Sequence, residues 1–114
     1  MSKYEKLTQD IITALNNTAH IENAEAISDE GTANNDCAGL FLPRWAESKV
    51  EEAVKNAGAY AVKDSAMSKA FGKAYYTLIV PTKNRGDRRG KRAEAITLEL
   101  VRAGYDALAF QAAD

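Results

Sequence analysis

Beyond residue 36, Pro43, Gly58, Pro81 and Gly104 divide the chain into segments whose apolar residues change spacing at each boundary. This switching of period limits the fold more than any other feature, because a repeat of two suits a strand and a repeat of three to four suits a helix. CAGLFL, residues 37 to 42, is a short apolar run ended by Pro43 and predicts a buried strand. Ala46, Val50, Ala53, Val54 and Ala57 then recur at helical spacing, with Gly58 where a C-terminal glycine cap belongs. AYAVK and KAYYTLIV read as an antiparallel hairpin whose connection, containing Ser, Gly and Lys, is expected to be a loop. RAEAITLELVRAG predicts a second helix stopped by Gly104, and YDALAFQ an alternating last strand.

The resulting order, β-α-β-β-α-β over about residues 37–111, predicts an α+β fold with a ferredoxin-like split βαβ core. Right-handed crossovers would place both helices on one face of a four-stranded antiparallel sheet and leave the other face open. Ahead of this core, Tyr4, Leu7, Ile11, Ile12 and Leu15 share one face of an N-terminal helix expected over about residues 3–16. Ser2 and Glu5 are spaced as its capping box. Residues 17–36 leave open an extra edge strand or a loop. A length of 114 residues suffices for a self-sufficient core, so one domain spanning 1–114 is expected.

Composition narrows the function classes. No apolar run approaches the roughly 20 residues of a membrane span, and MSKYEK lacks the apolar segment of a secretory signal. The single Cys37 cannot form an internal disulfide, which agrees with a reducing compartment, and a cytoplasmic location is expected. One His and one Cys cannot build a structural zinc site, and no catalytic constellation or cofactor motif is recognisable. A non-enzymatic binding protein is the expectation.

Charge points to where it would bind. Residues 1–57 carry ten Asp/Glu against five Lys/Arg, a balance of -5. Residues 58–114 carry six against ten, a balance of +4, which together give the net charge of -1. Six of the cations fall in KNRGDRRGKR, residues 83 to 92: Lys83, Arg85, Arg88, Arg89, Lys91 and Arg92. Cations at a helix start oppose the macrodipole, so each carries a modest penalty of about 0.3–1 kcal/mol that a bound anion would reverse. These six residues are therefore candidates for contacting nucleic acid or another phosphate-rich anion. On this reasoning, replacing Arg88, Arg89 and Arg92 with alanine should weaken such binding and leave folding unharmed. GDRRGKR is not a nucleotide-binding loop, because only three residues separate its glycines and Arg92 stands where a hydroxyl residue is required.

Phe41, Tyr75 and Tyr76 are candidates for stacking on unpaired bases or for an interface, since the strands carrying them would be the central pair. Neither strand matches the aromatic pattern of RNA-recognition domains. The alternative function is a protein-interaction module, such as an adaptor, inhibitor or assembly subunit, using the open sheet face or the acidic N-terminal half. Tyr75 or Tyr76 with Leu78 or Ile79 would form that open apolar patch. The partners expected are thus nucleic acid or an acidic protein surface, no membrane, and a homodimer as a candidate assembly.

Overall fold

The structure, a computed structural model, describes residues 1–23, 37–81 and 86–110. Among these residues lie four α-helices and a four-stranded antiparallel sheet, an α+β arrangement. Helix α1 (Lys3–Thr18) starts where the spacing predicts, with the Glu5 N–H donating to the Ser2 hydroxyl at 3.2 Å. A 3₁₀ turn, Ala19–Asn23, follows in the stretch left open between strand and loop; residues 24–36 lie outside the described residues. Next come strand β1 (Cys37–Phe41), helix α2 (Glu47–Asn56) and strand β2 (Tyr60–Lys63). Helix α3 (Ser65–Phe71), strand β3 (Tyr75–Ile79), helix α4 (Gly86–Arg102) and strand β4 (Asp106–Phe110) complete the order.

The strands lie in the order β2-β3-β1-β4. Leu40 is opposite Tyr76 on one side and Ala107 on the other, and Ala61 is opposite Leu78. Because side chains alternate along a strand, this register sends Ala38, Leu40, Tyr76 and Leu78 to one face, where they join Val50 and Val54 of α2 and Ile96 and Leu100 of α4 in the core. Helix α1 rests on α2 and α4 and contributes Leu7, Ile11 and Ala14 to the same cluster. Gly58 and Gly104 follow α2 and α4 with φ of 92° and 105°, the left-handed backbone that glycine adopts without a Cβ clash.

One local feature departs from the sequence reading and a second lies beyond it. The hairpin connection between β2 and β3 is the short helix α3, because Asp64 caps it and Gly72 ends it. The second is the entry to α2. Its N-cap residue Ala46 has no side chain that can cap, and the cap is supplied from α1 instead: the Tyr4 hydroxyl accepts the Ala46 N–H at 2.9 Å. The Tyr4 ring meets Trp45 edge-on at 5.3 Å, and the Lys3 ammonium lies 4.8 Å from the Trp45 ring centre. These contacts lock α1 to the start of α2.

Candidate functional site

Helix α4 begins at Gly86, so Arg88, Arg89, Lys91 and Arg92 belong to its first turns. Lys83, Arg85 and the side chain of Arg88 lie outside the described residues. Lys91 is exposed. Arg89 and Arg92 are half-buried and turn toward the sheet, where they line a small recess with Glu22, Cys37, Val80 and Ile96. The Arg89 Nη2 stands 3.8 Å from the Cys37 sulfur.

Arg92 is committed to the fold. Its Nη1 forms an ion pair with the Glu22 carboxylate, its Nε donates to the Thr18 hydroxyl at 3.3 Å, and its Nη2 donates to the Leu15 carbonyl at 3.3 Å. Its side chain is only 13% exposed. A phosphate reaching Arg92 would have to displace Glu22. For Arg92 these contacts run against the expectation that replacing the arginines leaves folding unharmed: the acidic residue it meets lies in the N-terminal segment, and its proximity depends on α1 packing on α4.

The three aromatic candidates for stacking present no ring to solvent. Tyr75 and Tyr76 are each 1% exposed and Phe41 is 7%. Tyr76 faces the helices and belongs to the core. Tyr75 and Phe41 lie on the opposite face, but there the Tyr75 ring covers Gly39 so closely that a Cβ at that position would fall 1.8 Å from its hydroxyl oxygen. Phe41 packs edge-on against Tyr75 at 5.0 Å and against Phe71 of α3 at 5.1 Å. Burial raises the Tyr75 phenol above its ordinary value, with Asp64 and Cys37 adding to the effect. Glycine at 39 and the α3 cover together turn a would-be stacking platform into a second, smaller packed cluster.

The rest of that face is open and apolar. Tyr60 and Val62 of β2 are opposite Ile79 and Thr77 of β3, and Leu108 of β4 is opposite Gly39 of β1. Tyr60, Val62, Ile79 and Leu108 are 54%, 51%, 38% and 40% exposed, and Phe71 at the α3 end is 49% exposed. Meanwhile Ala61, Ala107 and Ala109 occupy the alternate positions that face the helices. Tyr60 and Val62 of β2 and Leu108 of β4 therefore point away from the core, and the alanines of both edge strands toward it. Of these residues, sequence reasoning singled out only Ile79. The signal for Tyr60, Val62 and Leu108 was present in the alternation of YAVK and DALAF, but large residues are normally assigned inward.

An ion pair borders this face. The Lys73 ammonium contacts the Asp106 carboxylate at 2.7 Å while lying 4.5 Å from the Phe41 ring centre. Among the described residues, no group of three or more His, Cys, Asp or Glu is placed to hold a metal ion, and no helix is long and apolar enough to cross a membrane. No protein-family profile, curated protein or solved structure matches this chain.

Proposed function

We propose that this chain is a non-enzymatic protein-interaction module, of the adaptor or assembly-subunit kind, whose contact surface is the open face of the sheet. The observation that carries the reading is the outward placement of Tyr60, Val62, Ile79 and Leu108 while alanines face the helices. Exposing large apolar side chains contributes nothing to the monomer's core, whereas covering them on association removes their surface from water at roughly 25 cal/mol per Å². The strand order β2-β3-β1-β4, with one helix following β1 and another following β3, supports a ferredoxin-like description of the scaffold. A scaffold of that kind carries no function of its own.

The test is cross-linking of the tagged chain in intact cells, comparing the parent with Val62→Lys. The expected outcome is a cross-linked species that the substitution removes. An unchanged cross-linking pattern would set the reading aside. A second reading, contact with nucleic acid or another phosphate-rich anion through residues 83–92, rests on the cations of that segment other than Arg92, which Glu22 already holds. It predicts binding to DNA or RNA whose logarithm falls linearly with the logarithm of salt concentration, with a slope of roughly -0.9 per phosphate neutralised on duplex DNA. Contact through the apolar face predicts no such fall.

A further inference from the structure

We propose that the occupant of the open sheet face is a second copy of this chain, docked face to face about a two-fold axis. The inference rests on the interaction reading above and names its partner. A two-fold contact requires a surface that complements itself, with each residue meeting its own kind or a near neighbour. Apolar side chains meet that condition without further design, and Tyr60, Val62, Ile79, Leu108 and Phe71 extend from one edge of the sheet to the other.

Electrostatics favours a like partner over a charged one. The Lys73 and Asp106 charges on this face already satisfy each other, and Lys63 turns to the helix side to meet Glu47 at 3.9 Å. Among the described residues of the two edge strands, β2 and β4, both charged side chains, Lys63 and Asp106, are thus paired, which favours an apolar partner over a charged one there. The area also fits. At their observed exposures the five side chains leave roughly 400–500 Å² of apolar surface, on aromatic areas of about 200 Å² each. A standard interface buries about 800 Å² per partner and is about 65% apolar in homodimers, so it needs roughly 500 Å² of apolar surface from each side. One open face therefore supplies close to the whole apolar part, and the rim around α3 and β4 supplies the polar remainder. Pairing through the β2 edge is less favoured, since that strand has only four residues. Stacking two sheets at the usual spacing of about 10 Å would leave α2 and α4 on the outer sides and α3, which carries Phe71 against Phe41, at the rim of the contact.

Sedimentation equilibrium on the purified chain tests this, from low micromolar to submillimolar concentration, with Val62→Lys, Leu108→Lys and, as a control on α4, Leu98→Lys. Leu98 is 49% exposed and lies outside the sheet face. The expected result is a concentration-dependent dimer in the parent and in Leu98→Lys, weakened at least about tenfold in each sheet-face variant. Val62 and Leu108 sit on opposite edge strands, so a folding failure in one leaves the other as the test, with circular dichroism as the check on folding. A parent that stays monomeric at submillimolar concentration overturns the second-copy inference alone, because the cellular cross-link to a different protein can still depend on Val62. A dimer that persists in both sheet-face variants, or dissociates only in Leu98→Lys, likewise overturns the second-copy inference, whereas the interaction reading falls only if Val62→Lys leaves the cellular cross-linking pattern unchanged.

Discussion

The Arg92 guanidinium reaches three acceptors on the N-terminal segment at once: the Glu22 carboxylate, the Thr18 hydroxyl and the Leu15 carbonyl. Thr18 is itself buried and donates to the Ala14 carbonyl at 2.8 Å, so the side chain closes a small polar network between α1 and α4. Arg92 is the seventh residue of α4, beyond the first turn within which the macrodipole penalty of about 0.3–1 kcal/mol falls off. Hydrogen bonds to a charged group that is mostly shielded from water contribute about 1.5–3 kcal/mol, so the contacts outweigh the dipole. Arg92→Ala is therefore expected to destabilise the protein by about 1–3 kcal/mol, read by urea or thermal unfolding. Arg92→Lys should recover only part of that loss, because an ammonium cannot address three acceptors in one plane. A variant as stable as the parent would show that Arg92 does not hold α1 to α4.

Helix α3 is seven residues long, far below the length at which an isolated helix persists in water. It is held by its ends and by one neighbour. The Asp64 carboxylate accepts the Met67 N–H at 2.9 Å, and Gly72 leaves the helix at φ 70°. The Ser68 hydroxyl accepts the Tyr75 N–H at 2.9 Å, while the Asp64 N–H donates to the Tyr75 carbonyl at 2.9 Å. Asp64→Ala removes the cap and is expected to cost about 1 kcal/mol. Since α3 carries Phe71 against Phe41, the loss should be local: amides of residues 65–71 exchange faster while β1 and β3 keep their protection. Uniformly faster exchange across the sheet would mean that α3 and the strands open as one unit.

Two buried phenols, Tyr75 and Tyr76, and the half-buried Tyr105 tie the stability of the domain to alkaline pH. Tyr75, Tyr76 and Tyr105 are each held above the ordinary tyrosine value of 10.0, in every case chiefly by burial. For Tyr105, the hydroxyl also donates to the Asp10 carboxylate at 2.7 Å, and that negative charge further disfavours phenolate. A raised folded-state pKa leaves stability intact below the unfolded value and erodes it as pH climbs past that value, because the unfolded chain ionises first. Melting temperature is thus expected to hold up to about pH 9.5 and to fall steeply above about pH 10. Tyr105→Phe should lower stability at neutral pH through the lost hydrogen bond, yet show a shallower fall above pH 10 because one ionisable group is gone. An identical slope in parent and variant would place the alkaline sensitivity elsewhere.

The order of elements was legible from residues 37 to 110 because it depends on local preferences. Pro43 and Pro81 follow the ends of β1 and β3, Gly58 and Gly104 supply positive φ after α2 and α4, and the period of apolar residues separates helix from strand. Ser2 was readable as a cap for the same reason: its partner is three residues away. α3 was missed because Asp64 and Gly72 bracket only two turns, too short for a periodic stripe to stand out. The candidate site was less legible, since it depends on partners distant in the chain. Arg92 looked like a free cation until packing brought Glu22 beside it, and Tyr75 looked like a stacking surface until its ring closed over Gly39. Alternation along YAVK and DALAF separates two sets of side chains but does not say which set faces the helices. That was settled when α2 and α4 packed on the alanine side, leaving Tyr60, Val62 and Leu108 on the outside.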